Sequence, residues 1–151
     1  MVSHDASHKP LLGPNARLAA WGQQRSLVAL YAFGSRAGEL LDTLNHGNFP
    51  LAPSTSDLDI AVVAAPGTQL SVLDKVRLAQ KLEELLGCHR VDLVVLTEAD
   101  PFLAANIIRG ERLYTADSHA ADEYELYVLR RAGDLIPLER ERQALILGER
   151  A

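Results

Sequence analysis

Asp57-Leu58-Asp59-Ile60-Ala61-Val62-Val63-Ala64 opens with two acids and continues as an apolar run that ends at Pro66-Gly67. A β-branched run of this length, bounded by turn residues, predicts a strand buried on both faces. Two other stretches read alike. Leu27-Val28-Ala29-Leu30-Tyr31-Ala32-Phe33 is halted by Gly34-Ser35, and Arg90-Val91-Asp92-Leu93-Val94-Val95-Leu96 carries a lone aspartate inside its apolar run. Helical patterns separate them. A helix is predicted from an Asn15 cap to about Ser26, a short one over Arg36 to Leu44, and an amphipathic one over Thr68 to Leu86. The apolar face of that third helix is read as Val72, Val76, Ala79, Leu82 and Leu86, with Gly87 as its stop. Asp100-Pro101 starts a further helix to about Arg109, and Arg112-Leu113-Tyr114 has the length of a short edge strand. Asp117 or Ser118 caps a helix through Arg131, after which Gly133 and Pro137 predict a break before a last helix ending near Gly148. Asn45 to Thr55 reads as a long loop. Strands alternating with helices predict an α/β domain of two or three layers, with helical crossovers between neighbouring strands.

The chain has 151 residues, 48% of them hydrophobic and 23% charged, which suits one ordinary domain with its own core. Residues 1–14 are expected to form a tail and 15–151 the domain. A net charge of −5 argues against coating a nucleic acid by broad phosphate contacts. The lone Cys88 can make neither an internal disulfide nor a cysteine-based zinc site. The opening residues lack the apolar run of a secretory signal and no run is long enough to cross a bilayer, so a soluble, cytoplasmic protein without membrane partners is expected. His4 and His8 have the spacing of a helical metal pair but sit in a segment without amphipathic pattern, which favours a solvated tail.

Asp57 and Asp59 lie two apart on an extended chain, so their side chains leave one face of the sheet. At an effective dielectric of about 20, two unit charges about 4 Å apart repel by roughly 4 kcal/mol, a cost that a bound cation relieves. The plain alternative makes Asp57 a solvated strand-entry residue. Asp92 adds weight to the cation, because a carboxylate among buried apolar residues needs a partner. That partner is either a metal shared with the other two acids or an arginine, Arg36 or Arg90, unless Asp92 sits just at the solvated end of the strand. Three carboxylates from two strands form an oxygen-rich set suited to hard divalent ions. Gly34-Ser35, between a strand and a helix, can turn backbone N–H groups and a hydroxyl toward phosphates, although alone it is an ordinary turn. Arg36 can hydrogen-bond a phosphate bidentately or pair with Asp57 or Asp92. His89 reads as a loop or strand-start histidine, Cys88 as a small buried filler, and Tyr124, Tyr127 and Arg131 as core tyrosines beside an exposed arginine, with a partner-binding stripe as the alternative.

Taken in order, strand-Gly34-Ser35, Asp57-x-Asp59 opening a second strand and Asp92 in a third, the chain resembles the polymerase-beta-like nucleotidyltransferases. More narrowly it resembles the small MNT-type domains encoded beside HEPN-domain toxins. The resemblance runs from about Leu27 to Leu138 and includes Asp100-Pro101 through Gly110, Arg112-Leu113-Tyr114 and Asp134-x-x-Pro137. It implies the family's mixed sheet flanked by helices. It also implies transfer of AMP from ATP to a hydroxyl, a tyrosine of the toxin, by an antitoxin. Gly34, Ser35 and Arg36 would bind the nucleotide, and Asp57, Asp59 and Asp92 would ligate two Mg²⁺ ions and carry the catalysis. Two departures favour a second function, a catalytically idle antitoxin that blocks its partner by occupation. The 21 residues from Arg36 to Ser56 exceed the family's usual spacing, and Arg36-Ala37-Gly38 lacks the second arginine often found there. Transfer to a small molecule such as an aminoglycoside is the weaker reading, because little chain remains for an acceptor-binding domain. A homo-oligomer stays open.

Overall fold

The computed structural model describes residues 14–46, 51 and 56–148. In chain order the elements are α1 (Pro14–Gln24), β1 (Leu27–Phe33), α2 (Ala37–His46), β2 (Leu58–Ala64), α3 (Val72–Leu86), β3 (Val91–Val95), a 3-10 turn (Leu96–Glu98), α4 (Pro101–Ile108), β4 (Glu111–Thr115) and α5 (Ser118–Ile146). His4, His8 and nearly all of the expected tail lie outside the described residues, as does most of the expected loop before β2.

The sheet order is β3-β2-β1-β4. β2 and β3 are parallel and joined by α3, as a parallel pair requires a long crossover. β1 is antiparallel to both β2 and β4, so the sheet is mixed and the helix between β1 and β2 does not make them parallel. Alternation along the strands gives each face its own core. Leu30, Ala32, Leu58, Ile60 and Val62 pack against Leu18 and Trp21 of α1, Leu40 and Leu44 of α2, and Leu78, Leu82 and Leu86 of α3. The opposite face, with Ala29, Tyr31, Phe33, Ala61 and Val63, is covered by Ala104, Ala105 and Ile107 of α4 and by Val128 and Ala132 of α5. Helices on both faces explain why β1 and β2 read as continuous apolar runs. Each leucine or isoleucine taken wholly from water there contributes about 1.5–3 kcal/mol.

Three sequence expectations are corrected. α3 begins at Val72, not Thr68, because Ser71 and Asp74 form a reciprocal cap: the Asp74 N–H donates to Ser71 Oγ (3.1 Å) and the Ser71 N–H to Asp74 Oδ2 (3.0 Å). Its inward stripe runs through Leu78, so Val72 and Val76 are exposed. Gly87 does end the helix, at φ 64°. The third correction is α5, a single helix of 29 residues that runs through both Gly133 and Pro137. A proline removes one backbone bond and crowds the carbonyl four residues earlier. Here that earlier residue is Gly133 itself, with strong helix formers on either side, so the two expected breakers are accommodated together.

Candidate active site

Strand pairing brings the predicted residues to one end of the sheet. Phe33, the last residue of β1, is the partner of Asp59, and Asp59 is the partner of Asp92. Neighbouring strands lie about 4.8 Å apart, so the two carboxylates leave the same face side by side. Asp59 is held above the ordinary aspartate range, by burial first and then by the negative charges of Asp92 and Asp57. Gly34 stands directly against it. Its φ is +75°, and a Cβ at this position would strike Asp59 Oδ2. The bend after β1 therefore has both a backbone conformation and a clearance that favour glycine. Exposed Ser35 follows, and α2 begins at Ala37, whose N–H donates to the Gly34 carbonyl (3.4 Å). Gly110 packs on the same end of β1, where a Cβ would meet the Ala32 carbonyl and lie 3.2 Å from Phe33 Cα.

Asp57 precedes β2 and is paired with Arg90, which precedes β3 (Oδ2 to Nε 3.5 Å). The backbone repeats this pairing, with the Leu58 N–H donating to the Arg90 carbonyl at 3.0 Å. Among the described residues no group of three or more His, Cys, Asp or Glu side chains is gathered in metal-ligating geometry. Arg90 engages Asp57, which leaves Asp59 and Asp92 as the facing pair. The donors nevertheless suit a hard divalent cation: they are carboxylate oxygens on one face, and their mutual repulsion is what a cation relieves.

Two sequence readings change here. Asp92 is exposed, as the solvated alternative has it, rather than buried in an apolar strand, because β3 is the edge of the sheet. Arg36 is buried, at 7% exposure, and braces the fold. Its Nε and Nη2 donate to Glu39 (both 3.1 Å), and its Nη1 donates to the Ser56 carbonyl (3.4 Å), tying the start of α2 to the approach to β2. His89 is exposed just before β3. Cys88 is half-buried against the first core, and burial together with Glu83 pushes its thiol pKa up, as befits a packing residue. Tyr124 packs on the second core, whereas Tyr127 is exposed with the Arg131 guanidinium 5.9 Å from its ring centre.

The sequence reading missed a polar network on the same face as Asp59. Buried Tyr31 donates its hydroxyl to Glu125 of α5 (2.7 Å), while Arg112 of β4 donates to Glu125 (3.3 Å) and Asp122 (2.8 Å). A tyrosine inside the apolar run of β1 was the available signal, since a buried phenol needs a partner.

Three comparisons bear on this geometry. The family model described as Polymerase beta, Nucleotidyltransferase matches residues 19–119. No protein of curated function matches the chain. Among solved structures, a chain of a toxin–antitoxin structure with AMP-PNP is 26% identical, with 87% of this chain and 94% of that chain covered and a TM-score of 0.61. A structure of a tri-AMPylated Shewanella oneidensis HEPN toxin in complex with MNT antitoxin contains a chain 25% identical, covering 88% and 92%, at a TM-score of 0.58. The toxin–antitoxin MntA-HepT structure gives 25%, 88% and 93%, at 0.57.

Proposed function

Because the chain belongs to the polymerase beta nucleotidyltransferase family, in its minimal MNT form, we propose that it transfers AMP from ATP to a hydroxyl of a HEPN-domain toxin and so acts as an antitoxin. One observation carries this reading: Asp59 and Asp92 oppose each other across β2 and β3 beside the Gly34 bend. The solved structures with AMP-PNP and with an AMPylated HEPN toxin support the choice of nucleotide and partner.

In this mechanism the backbone at Gly34 and the Ser35 hydroxyl receive the phosphates at the start of α2, where helix N–H groups favour anions. Asp59 and Asp92, with Asp57 once it is released from Arg90, would hold two Mg²⁺ ions, whose chemistry there would be Lewis acidity and neutralisation of phosphate charge. Gly34 keeps the phosphates close to Asp59, since any side chain there would fill that space. The acceptor oxygen, taken as that of a tyrosine, attacks the α-phosphorus, the bond to pyrophosphate breaks, and Asp92 takes the hydroxyl proton. Asp92 is exposed at the sheet edge, where an acceptor can reach it.

Incubation with labelled ATP, Mg²⁺ and the HEPN-domain partner should label that partner. Asp57→Asn and Asp59→Asn should each lower labelling by about 100-fold or more. Undiminished labelling by both variants rules the site out. The burial of Arg36 and the Asp57–Arg90 pair favour the second reading, an antitoxin that acts by occupation alone. It expects a stable complex with the partner and no labelling.

A further inference from the structure

β3 ends the sheet, and among the described residues no strand lies beyond it. Parallel pairing fixes which of its backbone groups face outward. In a parallel ladder each residue turns both its groups to the same neighbour, and successive residues alternate. The Arg90 carbonyl accepts from Leu58 of β2, so Asp92 and Val94 also address β2, while Val91, Leu93 and Val95 address the outside. The Val91 N–H fits this parity, since it donates to Glu83 Oε1 of α3 at 3.1 Å. The N–H groups of Leu93 and Val95 have no acceptor among the described residues. A groove of about 380 Å³ runs along this edge, lined by Leu93 and Val94 and flanked by Lys75 of α3 and Leu103 of α4. The Lys75–Glu98 ion pair, 2.7 Å, stands at the end beyond Val95. In the other direction the strand leads to Asp92.

We propose that this edge is the docking ledge for an extended segment of the acceptor protein. The segment adds to β3 as a further strand, pairs with Leu93 and Val95, and lays its hydroxyl-bearing residue alongside Asp92. The inference rests on the nucleotidyl-transfer reading above. An extended polypeptide is the occupant the pattern calls for, because outward donors spaced two residues apart match the carbonyls of a strand, whereas a helix keeps its backbone groups to itself. Half-buried Leu93 and Val94 give such a segment apolar contacts on either side of the ledge. The strand that offers the ledge also carries Asp92, so binding and delivery of the hydroxyl become one event.

Residue-resolved hydrogen exchange on the full chain, with and without the HEPN-domain partner, tests this. In the free chain the amides of Asp92 and Val94 should be protected and those of Leu93 and Val95 should exchange freely. With the partner, Leu93 and Val95 should slow by at least about tenfold. Val95 has φ −87°, close to the proline value, so Val95→Pro removes one outward donor at little backbone cost and should weaken partner binding about two- to tenfold. Partner binding that protects other regions and leaves Leu93 and Val95 unchanged overturns the ledge alone. A partner that alters no amide anywhere overturns the partner reading and the ledge with it. Protection already present in the isolated chain assigns the edge to a second copy or to the chain's own residues, and also overturns the proposal.

Discussion

Asp59 concentrates the electrostatic cost of the site in one carboxylate. Burial and the neighbouring acids raise its pKa in the folded state, so the fold binds this proton more tightly than the unfolded chain does. The stability it contributes is complete below the ordinary aspartate range and is lost as pH rises through the folded-state value. Asp59→Asn keeps the shape without the charge. In EDTA at pH 7 it should melt about 1–3 °C above the wild type, with the gap closing at acid pH. A lower melting temperature at pH 7 would show that Asp59 gains more from its surroundings than it loses to Asp92. At this scale the sequence placed Asp59 and Asp92 on paired strands but did not give their environments. The run around Asp92 has the same apolar character as a central strand, and nothing in it tells that β3 lies at the edge. Arg36 is similar: a guanidinium beside a glycine-serine bend can face a phosphate or Glu39, and the turn into α2 gives it to Glu39.

The joint between α5 and the sheet depends on the Tyr31–Glu125–Arg112 network as much as on apolar packing. Tyr31→Phe preserves the ring and removes one hydrogen bond, leaving Glu125 to Arg112. It should lower the melting temperature by roughly 2–6 °C, measured by circular dichroism. No change would mean that Arg112 alone satisfies Glu125. Elements with strong local grammar were legible. β1 and β2 fall within one residue of their sequence readings, and α4 begins after Asp100, whose carboxylate accepts from the N–H groups of Phe102 and Leu103. The misreadings have a common cause. Gly133 and Pro137 are breakers when judged singly, and their four-residue spacing becomes meaningful only on a helix already formed. The outward turn of Val72 and Val76 likewise depends on where α3 meets the sheet, which the periodicity of a single helix does not encode.

Across the whole molecule, the family, the three-layer architecture and the convergence of Gly34, Asp59 and Asp92 join segments far apart in the chain. Ligand linkage tests that convergence. Mg-ATP at about 100 times its dissociation constant should stabilise the fold by about 2.7 kcal/mol, a rise of roughly 5–10 °C in melting temperature. Asp92→Asn should lose most of that rise in a thermal-shift titration, and an undiminished rise would place the nucleotide elsewhere. Among the described residues no helix is long and apolar enough to cross a membrane. The helix that comes nearest to lacking a home is α5. Its last buried residue is Ala132, and about 21 Å of helix continues from there to Ile146. Leu138, Leu145 and Ile146 are each more than 60% exposed on this spur. Lone helices of such length are marginal in water, and greasy protrusions attract one another. Purified by itself, the protein should therefore associate through these spurs as it is concentrated, and limited proteolysis should cut the spur before the body of the domain.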